Sequence, residues 1–232
     1  MSAEGPEPTG GVQSSPVKIW DLPVRVVHWA IAALFGFSWW TAENDRLDWH
    51  MLSGYAILTL LLFRIYWGLV GSSTARFAVF VKGPAHILGY ARGLLSSGAA
   101  VSAGHNPMGA LSVIALLSSL LAQTALGLFA IDEDNNAGPL NYMVSYDAGR
   151  QIAHWHHVVF NVLLYLVGLH LAAVAFYTIF KRENLIGAML TGGKRLPRGS
   201  RRDRIEMRSP WWALPGLAAA ALIVAAIVLG HY

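Results

Sequence analysis

Nine histidines and no cysteine set the chemistry open to this 232-residue chain. Without a thiol there are no disulfides, thiolate metal sites, iron–sulfur clusters or covalently attached c-type haem, and imidazole is the one strong ligand left for a soft metal. Four of the histidines, His28, His50, His156 and His170, fall in or at the edge of long apolar stretches, where an ionisable side chain is costly and signals a function. His156 and His170 are 14 residues apart. On a helix that is about 40° short of four full turns and roughly 21 Å of rise, so the two share a face at different depths. His157 falls about 140° from His170 around the same helix, and His154 about 200° from His156. His28 sits low in the first apolar stretch, and His50 opens the second from the opposite side. The depths therefore match in pairs, His50 with His156 and His28 with His170.

Two stacked imidazole pairs in a helical bundle suit two haems, each held between one pair, because a bundle core is a usual cofactor site. With both axial positions filled, the iron has no open position for oxygen or substrate and passes electrons instead. Gly54, one turn from His50, would let a porphyrin approach the backbone. Arg64 is 14 residues after His50, on the same face and at the depth of the inner pair. Two readings are open for it: a haem propionate, or snorkelling to the interface. Arg25, three residues before His28, is a second propionate candidate. Gly109 and Gly127, 18 residues apart, share a face of a stretch without histidine. They suit either close approach to each haem or close helix packing. A metal-ion transporter would also use histidine, but with intramembrane carboxylates, and the apolar stretches hold none.

These side chains need long membrane-crossing elements to position them. The chain is 55% hydrophobic and 13% charged, against roughly a quarter charged for a soluble domain. Five apolar stretches, 24–41, 50–70, 108–131, 152–180 and 211–230, each approach the ~20 residues a helix needs to cross the hydrocarbon. The expected fold class is all-α: a transmembrane helical bundle with a four-helix dihaem core and a fifth C-terminal transmembrane helix. Alternating the connecting segments places fourteen Lys and Arg on one side and only Arg46 and Arg150 on the other. By the positive-inside rule the N-terminus is cytoplasmic and the C-terminus outside. The basic run 194–208 is explained by this juxtamembrane bias, so no nucleic-acid partner is expected; membrane lipid is. Residues 1–17 lack the features of a signal peptide and read as a disordered cytoplasmic tail. Residues 18–182 read as the dihaem domain, 183–210 as a basic cytoplasmic linker and 211–232 as the fifth helix. The loop 83–98 is too short to span and suits an interfacial helix, with Ile87, Leu88, Leu94 and Leu95 toward lipid.

Several motifs appear in order. Residues 17–29 read VKIWDLPVRVVHW, followed by His50-Met-Leu-Ser-Gly54-Tyr55, then Phe63-Arg64-Ile-Tyr-Trp67-Gly68, Ala75-Arg76-Phe77 and Gly104-His105-Asn106-Pro107-Met108-Gly109. His156 and His170 follow, with Asn161 and Gly168 between them. This series resembles the bacterial cytochrome b561 / nickel–iron hydrogenase b-type cytochrome family over about residues 17–182. The resemblance implies a bacterial inner-membrane protein with two non-covalent b-type haems ligated by His28, His50, His156 and His170. It implies electron transfer between quinone and a redox partner: a c-type cytochrome, a dehydrogenase or a hydrogenase subunit. His157 leaves a one-residue ambiguity in the fourth ligand, and the fifth stretch lies beyond the family core. His105 and Asn106 are weak candidates for a quinone site, against a turn and a helix cap. Some relatives suggest a superoxide:quinone oxidoreductase. Such an enzyme would want basic residues on its outer face to steer an anion, and that face is acidic here.

Overall fold

The computed structural model describes residues 17–93, 104–194 and 205–230. Five of its helices are long and apolar enough to cross a membrane. These are α1 (Leu22–Glu43), α2 (Leu47–Val70), α5 (Pro107–Phe129), α6 (Tyr146–Ile179) and α8 (Ala213–Leu229), the last continuing a short 3-10 turn over Pro210–Trp212. The shorter α3 (Phe77–Phe80), α4 (Pro84–Gly93) and α7 (Leu185–Thr191) lie in the connections. The all-α membrane bundle read from hydropathy is the fold observed.

Capping sets where the helices start. Asp21 Oδ1 accepts from the Val24 N–H at 2.9 Å, and Pro23 supplies the fixed φ of a first turn. Asn106 Oδ1 accepts from the Gly109 N–H at 2.7 Å to open α5, so the turn-and-cap reading of Asn106 holds. The fourth apolar stretch was placed from residue 152, yet α6 starts at Tyr146. Ser145 Oγ caps it by accepting from Ala148 N–H at 3.3 Å, and Asp147 in the first turn suits the helix dipole. Hydropathy does not register such a polar first turn. The 34 residues of α6 form a helix of roughly 51 Å, well beyond the hydrocarbon thickness of about 30 Å.

α1 packs along α2, and α5 along α6; α2 also meets α5. Between the levels of the histidines lies an apolar layer of Ile57 and Leu61 from α2, Leu120 from α5 and Leu163 from α6. Leu163 is fully buried. It stands seven residues, about two helical turns, from both His156 and His170. The fifth helix lies against α2, burying Gly216, Ala220 and Val224 at four-residue spacing. A Cβ at Gly216 would collide with the Tyr66 ring, and the Tyr66 hydroxyl donates to the Trp212 carbonyl at 3.0 Å.

The N-terminal end of the bundle is more structured than a tail and a linker. Val17, assigned to the tail, pairs in β1 (Val17–Lys18), antiparallel to β2 (Gly193–Lys194). The Gly192 carbonyl accepts from the N–H groups of Ile19 and Trp20 at 2.7 and 3.1 Å. Residues 183–194, assigned to the linker, therefore close over this end, with Lys194 Nζ 2.9 Å from Glu183 Oε2. Residues 205–208 return to the same end. Glu206 and Arg208 N–H groups donate to Ser73 and Ser72 Oγ, both at 3.0 Å. The interfacial helix is present as α4, with Leu88 exposed and Ile87 half-buried. Leu94, Leu95, residues 1–16 and the stretch 195–204 lie outside the described residues.

Candidate functional site

The bundle brings the four sequence-selected histidines together in the two expected pairs. His50 at the start of α2 faces His156 of α6, ring centroids 6.1 Å apart. His28 of α1 faces His170 of α6 at 6.4 Å. With the N-terminal end of the chain at the bottom, these are the upper and lower pairs. α6 runs through His154–His157 as unbroken α-helix, so the register that favours His156 holds. His157 is exposed and lies 6.3 Å from the His156 ring.

Backbone carbonyls orient the upper pair. His50 Nδ1 lies 2.9 Å from the Ser38 carbonyl and 3.2 Å from Ser38 Oγ. His156 Nδ1 lies 3.0 Å from the Gln123 carbonyl. A carbonyl only accepts, so each Nδ1 carries the proton and each Nε2 keeps its lone pair, the tautomer a metal ligand needs. The hydroxyl of the fully buried Thr41 donates to the same Ser38 carbonyl at 2.8 Å. These partners escape a sequence reading because any residue supplies a carbonyl. Gln123 contributes its backbone, while its Oε1 is buried without a partner among the described residues. Gly127 faces the same site: a Cβ there would lie 3.2 Å from His156 Cε1. Gly109 instead faces Asn106 and His105.

The lower pair has a polar neighbourhood with unmet donors. His28 Nδ1 is buried without a partner. Arg64 is only 6% exposed, and among the described residues its one hydrogen bond is a long 3.3 Å contact from Nη2 to the Ala75 carbonyl. Its Nη1 is buried and unpartnered, and the Phe77 ring covers the guanidinium at 4.9 Å. Snorkelling therefore does not describe Arg64. Arg25 donates through Nη1 to the Leu190 carbonyl, with its Nε buried and unpartnered. His105 is wedged between Trp20 and Phe80, each ring 4.6 Å away. Burial, reinforced by Arg64, His170 and His28, pushes its pKa down to about 3.

The residues present fit a haem at each pair. A metal–imidazole bond of roughly 2 Å on either side of one iron sets the ring centroids about 6 Å apart, and both pairs meet that spacing. A Cβ at Gly54, one turn from His50, would meet no atom within 4 Å. A buried guanidinium with an unmet N–H calls for an anion such as a propionate.

A profile of the prokaryotic cytochrome b561 family matches residues 19–192. Two curated relatives are named as probable Ni/Fe-hydrogenase B-type cytochrome subunits. The protein from Azotobacter vinelandii is 24% identical, over 82% of this chain and 93% of its own length. The protein from Rhizobium leguminosarum bv. viciae is 23% identical, over 78% and 90%. No solved structure matches. The profile spans all four histidines, Gly54 and the α7 cap, and on that footing the chain belongs to the prokaryotic cytochrome b561 family.

Proposed function

We propose that the protein is a dihaem b-type cytochrome that carries electrons across the bacterial inner membrane, between the quinone pool and a redox partner. The observation that carries this reading is the pair of imidazole couples at two depths of one bundle, each at the separation one iron requires. Family membership implies haem b; the count of two rests on the pairs. His50 and His156 would hold one group, and His28 and His170 the other. Arg64, with Arg25 as a second candidate, would meet propionates, and Gly54 would leave room for the macrocycle. Haem bound between two imidazoles supplies a one-electron couple without an open coordination position.

The rest is the work of this chain's residues. Ser38 and Gln123 carbonyls hold His50 and His156 in the ligating tautomer. Leu163, Ile57, Leu61 and Leu120 keep the space between the levels dry. Arg64 places a fixed positive charge beside the lower pair. A hydrogenase subunit heads the possible partners because the relatives carry that name; a dehydrogenase subunit or c-type cytochrome fits the same chemistry. The superoxide reading lacks support from the upper face. Glu43, Asp45, Asp48, Glu133, Asp134 and Asp147 are exposed there, and Arg150 is tied to Glu133 at 2.8 Å.

The deciding measurement is haem per chain in purified protein, by pyridine haemochrome against amino-acid analysis. Two haem b per chain are expected, all extracted by acid acetone because the chain has no cysteine. One haem per chain, or pigment that stays with the protein, overturns the reading. A separate expectation concerns orientation. The bias of basic residues places the C-terminus in the periplasm, so a reporter active only there, fused after Tyr232, should be active. Activity from a cytoplasm-only reporter at that position would reverse the assignment.

A further inference from the structure

Among the buried nitrogens beside the lower pair that have no hydrogen-bond partner among the described residues are Arg64 Nη1 and His105 Nδ1. They come from different elements, α2 and the turn before α5, and α3 joins them: the Phe77 ring covers Arg64 at 4.9 Å and packs 5.8 Å from Phe80, whose ring lies 4.6 Å from His105, while His105 also feels the charges of His170 and His28. Asp21, an acidic group whose charge reaches Arg64, is already committed: its two oxygens accept from Val24 N–H and Trp67 Nε1, both at 2.9 Å. An arginine only 6% exposed, with no ion pair among the described residues, is costly unless an anion arrives. The His105 ring cannot turn freely to seek water, because Trp20 and Phe80 hold it on two sides. The N-terminus of α5, a 23-residue helix beginning two residues later, adds positive potential at this point.

We infer that Arg64 and His105 form one carboxylate-binding pocket, and that it takes a propionate of the haem at the lower pair. This rests on the dihaem reading and extends it to His105. Arg64 gives the ion pair and one hydrogen bond. His105 gives a second hydrogen bond and fixes the direction of the carboxylate. Neither touches the iron; both are positioning residues. This role accounts for the unmet donors on both side chains, which a quinone site built on His105 and Asn106 does not, since Asn106 is occupied as the α5 cap.

The test isolates the lower site with a His156→Ala background in the full chain. Apo-protein in membranes from haem-deficient cells is titrated with haem b and with its dimethyl ester, which lacks the negative charges. Two charge-assisted hydrogen bonds predict a preference for haem over the ester on the order of a hundredfold. His105→Phe keeps the aromatic wedge, removes one donor and should lower that preference about tenfold. His105→Gln retains a donor and should restore most of it. His105→Leu provides a second donor-free variant should the Phe protein not accumulate. An unchanged preference in the donor-free variants overturns the role of His105. Equal binding of haem and ester in the parent background overturns the propionate assignment and gives the pocket to a free anion or a lipid phosphate. A His156→Ala chain that binds no haem, or still binds two, overturns the ligand scheme itself.

Discussion

On the dihaem reading, replacing His50 or His156 by Ala is expected to leave one haem per chain, with the properties of the lower site. Replacing His28 or His170 does the reverse. The separation of effects follows from the structure, because the pairs share no side chain and a layer containing Leu163, Ile57, Leu61 and Leu120 stands between them. Removing one imidazole takes away an axial bond and opens a position beside the metal, so the loss is close to complete. His157→Ala keeps both haems. Its ring is exposed and touches His156 only from the side, so the change reaches the upper site through the surroundings of the ligand alone. The readout is the haem-to-protein ratio with low-temperature spectra of each variant. A His157→Ala chain that loses a haem while His156→Ala keeps both would move the ligand by one residue. Retention of both haems in all five variants would end the scheme.

Asp21→Ala should destabilise the lower end of the bundle by about 2–4 kcal/mol. The carboxylate is 4% exposed and accepts two hydrogen bonds. Its loss uncaps α1, costing about 1 kcal/mol. It also strands the indole N–H of Trp67, a residue with no exposed surface, for a further 1–3 kcal/mol or so. The measurement is thermal unfolding in detergent, with Trp67→Phe as the second arm of a cycle. Phe removes the stranded donor, so Asp21→Ala should cost less in that background than in the parent. Equal costs in both would show that the Asp21–Trp67 bond contributes nothing.

The spans and the face shared by His156 and His170 were legible because both are periodic. A run of apolar residues and a 14-residue interval survive projection onto any regular helix. The choice of His156 over His157 was legible only on the assumption of an unbroken helix, which α6 supplies by starting at Tyr146. The lower end was less readable for a different reason. A two-residue strand such as Val17–Lys18 has no period, and its partner lies 175 positions away at Gly193–Lys194; nothing local announces such a pairing. Arg64 was read as free to choose between a ligand and the interface. Its burial under Phe77 is a tertiary fact. His105 was noticed as a motif residue, but its confinement between Trp20 and Phe80 joins three separate segments. Leu163 was overlooked as one more leucine, although its position midway between His156 and His170 was there to be counted.

The vertical distance between the two pairs has an energetic meaning of its own. His156 and His170 stand roughly 21 Å apart along α6, about two-thirds of a hydrocarbon layer some 30 Å thick. On the proposed dihaem reading, an electron moving between levels that far apart would cross most of the electric field of an energised membrane. A full unit charge carried through 100 mV is worth about 2.3 kcal/mol, so this transfer is biased by roughly 1.5 kcal/mol per 100 mV, more than a tenfold change in how the electron is shared. The equilibrium between the two levels is thus set by the state of the membrane as well as by the ligands. In the proposed orientation, an energised membrane would favour the electron on its positive side, and dissipating the potential would release it toward the cytoplasmic side without any change in the protein.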